Sequence, residues 1–225
     1  TRELTTFYGQ LAAHRLAGHG FPPLPTAAPP GPIASMAFAR LELVRVVRHL
    51  AKLGQTERMD PFLRELGRRA TTRVSAQLTA DLAAAIGRPD EAVRIAREAR
   101  REGIILPDHL YPEMDLPHTP GGTKQESPLV LAIVRQESGF DPDALSTAGA
   151  RGMMQIMPRT ARTMAERLGV DPADHDLREP AYNLKIGSSY LRRLLRRYDG
   201  STLLAVTAYN AGPTRVNAWL DRYGD

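Results

Sequence analysis

Ser127–Gly139, SPLVLAIVRQESG, is the stretch on which the reading of this chain turns. Ser127 followed by Pro128 is a helix start, a capping hydroxyl and then a proline at the first helical position. Leu129–Val134 is uninterrupted apolar sequence, which predicts a helix buried on most sides, and Gly139 supplies its stop. A carboxylate, Glu137, then sits at the C-terminal end of a buried helix. Helix C-termini carry partial negative charge and desolvation penalises an ionised group, so both effects raise its pKa. A carboxylic acid that keeps its proton near neutral pH is suited to protonating a leaving oxygen. On this helix alone the plainer reading, a surface glutamate in a frayed last turn, is the better supported.

The sequence downstream reverses that balance. Phe140–Ala150 is turn-rich, with Asp141-Pro142-Asp143 and then Leu145-Ser146-Thr147-Ala148-Gly149. Gly152-Met153-Met154-Gln155-Ile156-Met157-Pro158 follows, then Asn183-Leu184-Lys185-Ile186-Gly187 with Tyr190-Leu191, and finally Ala208-Tyr209-Asn210-Ala211-Gly212-Pro213. Together with Glu137-Ser138, these ordered motifs resemble the soluble lytic transglycosylase family of peptidoglycan lyases. Met153 stands where the family has leucine in the second motif; the Ala208–Pro213 motif is unchanged. A weaker resemblance to the family's linker region lies upstream, at Phe7-Tyr8-Gly9 and Leu11-Ala12-Ala13.

The resemblance implies an all-α chain, with a lysozyme-like catalytic domain over residues 123–225 preceded by a helical linker or superhelical segment over 1–122. It implies that Glu137 is the sole catalytic acid and that Ser146 hydrogen-bonds near it and the sugar's acetamido group. Gln155 would contact the glycan and Met157 pack under a sugar ring. Tyr209 would position the catalytic carboxyl, with Asn210 an adjacent groove residue. Asp141 and Asp143, the nearest candidates for a second carboxylate, are explained as turn caps. The implied reaction is non-hydrolytic cleavage of the MurNAc-β-1,4-GlcNAc bond to 1,6-anhydromuramoyl products. The alternatives are a hydrolytic muramidase of goose-type lysozyme fold and an inactive glycan-binding or scaffold module. Peptidoglycan strands would be the partner and the periplasm the location.

Gly121-Gly122-Thr123-Lys124-Gln125 departs from the regular helix that usually precedes the catalytic one, and Ala181-Tyr182 before Asn183 is also less usual. Both flank the motifs, so they touch specificity more than chemistry. Met153, Met154, Leu194 and Trp219 read as core and Gly212-Pro213 as a turn between helices. Arg192, Arg193, Arg196 and Arg197 read as a solvated face, with stem-peptide contact an alternative for them.

Residues before about 122 read as scaffold. Leu4–Leu16 has helical spacing and ends at Gly18 and Gly20, and a proline-rich connector follows to Pro32. Met36–Leu53 reads as one helix with a broad apolar face. Asp60-Pro61 reads as a cap pair, and Thr72–Ile86 and Pro89–Arg101 as helices closed by Gly87 and Gly103. Leu106–Gly122, rich in proline, reads as the boundary. His14, His19, His49 and His109 lack the i, i+4 partners of a metal site, and no metal or cofactor is expected.

Composition narrows the classes further. The 225 residues are 42% hydrophobic and 24% charged, with no cysteine and a net charge of +5. Absence of cysteine excludes disulfides, thiolate metal sites and a cysteine nucleophile. The charge is even, 16 basic against 13 acidic residues up to residue 120 and 14 against 12 beyond it, so a nucleic-acid stripe is not indicated. No apolar run approaches the roughly 20 residues that span a bilayer. The chain begins at Thr1 without a signal segment, which suggests a mature or trimmed chain and a piece of a longer enzyme.

Overall fold

A computed structural model describes residues 6–17, 28–116 and 127–224. Among these the chain is all-α, with twelve α-helices and only isolated β-bridges. It divides into two compact units, Thr1–Glu113 and Met114–Asp225. The connector from Gly18 to Ala27, the expected boundary near residue 122, and Gly121–Gln125 lie outside the described residues.

The first unit holds α1 (Phe7–Ala17), α2 (Pro32–Ala39), α3 (Glu42–Lys52), α4 (Asp60–Arg69), α5 (Arg73–Ala85), α6 (Pro89–Arg101) and the single turn α7 (Pro107–Leu110). Its core gathers Phe38, Val44, Val47, Leu63, Ala80, Ile95 and Ala96. The expected helix over Met36–Leu53 is two helices, broken at Arg40-Leu41, where Leu41 turns to φ −58°, ψ 135°. Phe38 and Val47 are about two and a half turns apart at 3.6 residues per turn, so an unbroken helix would point them to opposite sides. The break brings both into one core, which is why the apolar face looked so broad.

Asp60 is the first residue of α4 rather than its cap, and its carboxylate pairs with Arg88. Thr72 does cap α5, in a reciprocal capping box with Ser75. The region read as a boundary begins inside this core, since Leu106 and Leu110 are buried in it. His109 is engaged too, with Nε2 2.7 Å from the Asp81 carboxylate.

The second unit holds α8 (Ser127–Glu137), α9 (Pro158–Leu168), a 3-10 turn (Pro172–Asp174), α10 (Pro180–Arg197), α11 (Thr202–Ala211) and α12 (Pro213–Tyr223). The eighteen-residue α10 is its spine, burying Tyr182, Leu184, Ile186, Leu191 and Leu194. Gly212, at φ 85°, ends α11 and Pro213 starts α12, the expected turn between helices. Leu194, Tyr198, Ala205, Ala208 and Val216 close the core between α10, α11 and α12. Two expectations fail here. Trp219 is 43% exposed rather than core, because α12 buries Val216 and turns the Trp219 face outward. Arg192 is buried, whereas Arg193, Arg196 and Arg197 are exposed as expected.

Candidate active site

Helix α8 is buried on one face rather than on most sides: Val130, Ile133 and Val134 are buried while Ala132 and Gln136 are exposed. Those buried positions continue, at helical spacing, to Glu137. Its carboxyl is therefore drawn into the same face and is only partly exposed. Burial raises its pKa, and among the described residues no cation or hydrogen-bond donor offsets that effect.

Directly after Glu137 the backbone turns sharply. Ser138 and Gly139 both donate their amides to the Val134 carbonyl, and Gly139 and Phe140 take φ of 65° and 73°. A left-handed residue other than glycine costs roughly 1–2 kcal/mol. Phe140 is 2% exposed, and burying such a side chain contributes about 2–3 kcal/mol, enough to hold the turn. Asp141 then accepts from the Asp143 amide at 2.9 Å, the turn cap expected of it.

Residues 144–157 form a loop tied by antiparallel bridges of Arg151 to Leu145 and to Ile156. Ser146 lies in its first arm, where its Oγ accepts from the Ala150 amide at 2.9 Å and its own hydroxyl proton is uncommitted among the described residues. Gln155, at φ 48°, donates from Nε2 to the carbonyls of Ala144 and Gly152, both at 3.0 Å. Both amide protons thus hold the loop, leaving Oε1 as the atom it can offer a ligand. Met157 precedes α9 and is 42% exposed.

Three helices grip this loop at one dipeptide. From the end of α8, the Ser138 hydroxyl donates to the Met153 carbonyl at 2.8 Å. From α11, the Tyr209 phenol donates to the Met154 carbonyl at 2.7 Å. From α10, Asn183 Oδ1 accepts from the Met154 amide at 2.8 Å, while its Nδ2 donates to the carbonyls of Arg151 and Leu177. Asn183 is fully buried and uses its acceptor and both donors. The Met153 and Met154 side chains are core, as expected.

Tyr209 lies near enough to Glu137 for that carboxylate to act on it: its pKa is well above the ordinary phenol value through burial, then the Glu137 charge, then Tyr190. Its ring tilts against Tyr190 at 5.5 Å. Asn210, the next residue, is exposed, and its side chain makes no hydrogen bond among the described residues. Of the six residues singled out from sequence, Glu137 and Tyr209 are thus brought together, Ser146 and Gln155 share the bridged loop, and Met157 and Asn210 stand exposed beside them in sequence. Missing from that set were Asn183 and Ser138, whose motif positions were noticed but whose side chains reach backbone atoms as far as 32 and 15 residues away.

Residues 122–225 match the family model described as Transglycosylase SLT domain. A putative soluble lytic murein transglycosylase of Haemophilus influenzae is 42% identical over 93 residues, 41% of this chain and 16% of that protein. The soluble lytic murein transglycosylase of Escherichia coli K12 is 39% identical over 92 residues, 40% of this chain and 14% of that protein. This chain therefore spans only part of the curated relatives it matches. Among solved structures, an inactive mutant of the lytic transglycosylase Slt from Pseudomonas aeruginosa superposes with a TM-score of 0.75 at 28% identity, covering 98% of this chain and 35% of that one. A 70-kDa soluble lytic transglycosylase in complex with bulgecin A gives 0.76 at 25% identity, over 98% and 36%. The expected all-α, lysozyme-like fold is the one these neighbours have.

Proposed function

We propose, from the premise that residues 122–225 carry a transglycosylase SLT domain, that this unit is a lytic murein transglycosylase with Glu137 as its acid and base. The observation that carries the reading is the Glu137 carboxyl itself: drawn into the buried face of α8, raised in pKa by that burial, and unpaired among the described residues. Ordinary glycosidases use two carboxylates. Asp141, the nearest alternative in sequence, is engaged in a backbone turn, so a single-acid route fits better.

In that route Glu137 donates its proton to the oxygen between N-acetylmuramic acid and N-acetylglucosamine as the bond from that oxygen to C1 breaks. The 2-acetamido group stabilises the positive charge at C1, the substrate-assisted exception to the two-carboxylate rule. The muramoyl C6 oxygen then bonds to C1, and its proton passes to Glu137, restoring the acid. The product is a 1,6-anhydromuramoyl end, and no water is consumed. Because the sugar supplies its own nucleophile, holding it in place substitutes for a second base.

Ser146 and Gln155 Oε1 are the polar atoms of the bridged loop available to the acetamido and hydroxyl groups of the strand. Met157 offers an exposed thioether to a sugar face, and Asn210 a groove contact from α11. Tyr209 acts on the site through Met154 rather than through a hydrogen bond to Glu137.

Peptidoglycan strands are the proposed substrate and the periplasm the proposed location. No described helix is long and apolar enough to cross a membrane. Mass spectrometry of sacculi digested by the chain tests the reading: anhydro ends are expected. Reducing ends would establish a hydrolase instead, and an absence of any turnover would leave a binding module.

A further inference from the structure

The outward sides of α2 and α3 carry a surface that the Glu137 chemistry does not use. On α2, Ile33, Met36, Ala37 and Arg40 follow one another at helical spacing and are all exposed, opposite the buried Phe38. Ile33 and Met36 keep 80% and 57% of their surface in water. On α3, Arg45, Arg48 and Lys52 form an exposed stripe that Leu41, itself 48% exposed, begins at the break between the two helices. Val44 and Val47 lie on the other side of α3, in the same core as Phe38. Two consecutive helices thus bury one side in a shared core and offer the other to solvent, the first mainly apolar and the second basic.

The cations on this surface are uncommitted. Elsewhere in the same unit Arg68 and Arg69 are taken up by Glu65, Arg88 by Asp60 and Asp90, and Arg94 by Glu91 and Glu98. The side chains of Arg40, Arg45, Arg48 and Lys52 make no hydrogen bond or ion pair among the described residues. Glu42, in the first turn of α3, is the one acid of either helix.

What fits such a surface is decided by its having both characters at once. A nucleic acid would neutralise the cations but leave Ile33 and Met36 in water, and neither outward face has an aromatic ring on which bases could stack. A second copy of the same face would bring like charge against like charge. An anionic bilayer supplies acidic headgroups for the cations and, just beneath them, an acyl boundary for the apolar side chains. We propose that the outward faces of α2 and α3 form a docking surface for an anionic lipid bilayer. Arg40, Arg45, Arg48 and Lys52 meet the phosphate headgroups, and Ile33, Met36 and Leu41 enter the acyl boundary. Docking is peripheral, since α2 and α3 are 8 and 11 residues long, well short of the roughly 20 that span a bilayer. The surface belongs to the first unit and does not depend on the reading of Glu137.

The test is flotation of the chain with vesicles of phosphatidylcholine alone and with vesicles of phosphatidylcholine and phosphatidylglycerol in about equal parts. Recovery with the anionic vesicles only is expected. It should fall steeply as salt rises from about 0.1 M to about 1 M, which shortens the screening length from about 10 Å to about 3 Å. Arg45→Gln, Arg48→Gln and Lys52→Gln should each weaken partitioning roughly fivefold, the worth of one cation near such a surface. Ile33→Ser and Met36→Ser should each weaken it several-fold. Arg101→Gln, the same loss of charge at the exposed end of α6, should leave it near that of the parent. All these changes fall at exposed positions, so urea midpoints should match the parent's. The docking surface is refuted if the parent chain stays unbound, if it floats equally with neutral vesicles, or if the glutamine variants partition as the parent does. Serine variants that partition as the parent does would also refute it, marking a general polyanion patch. A dimer in velocity sedimentation that Ile33→Ser dissociates would do the same, by showing that a second copy covers the face.

Discussion

The Tyr209 phenol donates a 2.7 Å hydrogen bond to the Met154 carbonyl across 55 residues of sequence. Ser138 reaches the neighbouring carbonyl of Met153, one residue beyond Glu137. The catalytic candidate and the phenol that feels its charge are therefore fixed to adjacent peptide units of one loop. Tyr209→Phe removes this link and strands a buried carbonyl, so a loss of about 1–3 kcal/mol is expected in urea unfolding. If the phenol positions the loop, kcat should fall more than KM rises. Unchanged kcat in a folded variant would refute a positioning role.

Glu137→Gln keeps the shape of the side chain and removes the proton. Turnover should fall by roughly a hundred- to ten-thousand-fold, the usual worth of general acid–base catalysis. Release of anhydromuropeptides from sacculi measures it, and activity near that of the parent would exclude Glu137 as the acid.

The same residue sets a pH dependence whose sign follows from its burial. Glu137 has a raised pKa in the folded chain, so between its unfolded and folded values the folded state holds more protons. Its contribution to stability is full below the unfolded value and is lost as pH rises through the folded one. The Tm of Glu137→Gln relative to the parent should therefore climb with pH across that window and then level off. The kcat/KM of the parent should decline on the alkaline side of the raised value. A Tm difference that stays flat with pH would contradict the burial argument.

How much of this was legible varied with the range of the forces involved. The ends of α5 and α6 were readable because caps, Pro89, Gly87 and Gly103 act within one turn. The break at Arg40-Leu41 was not, since neither proline nor glycine marks it and only the shared core of Phe38 and Val47 demands it. The place of Glu137 at the end of α8 was legible from its helix. The bridged loop was not, because its pairing depends on Arg151 meeting Leu145 and Ile156 rather than on a turn dipeptide. Trp219 misled because an aromatic at helical spacing carries no record of which face finds a partner.

Asn183 tests that long-range wiring. Its three hydrogen bonds hold the Met154 amide and the Arg151 and Leu177 carbonyls. Asn183→Leu leaves these groups unpaired and should cost about 3 kcal/mol or more, with kcat reduced in whatever fraction folds. Asn183→Asp keeps the acceptor for Met154 but turns a second acceptor toward two carbonyls, so it should not rescue. A stable, fully active aspartate variant would show that the carbonyl contacts are dispensable.

Met157 offers a contrast in which binding and folding separate. It is 42% exposed and lies outside the core, so Met157→Ala should leave the urea midpoint within about 0.5 kcal/mol of the parent. If its thioether packs on a sugar, KM should rise several-fold with stability intact. Unaltered kinetics would remove it from the groove.

Gly187 carries the sharpest steric prediction. A methyl group there would run into the sulfur and Cβ of Met154, the residue whose backbone Asn183 and Tyr209 hold from either side. Overpacking of this kind costs roughly 1–3 kcal/mol. Met154 cannot yield freely, because moving it loosens both hydrogen bonds to the loop. Gly187→Ala should therefore lower Tm and kcat together, while Met154→Ala in the same chain should recover part of the kcat by opening space for the methyl. Strict additivity of the two substitutions in Tm and kcat would mean that the pair is not in contact.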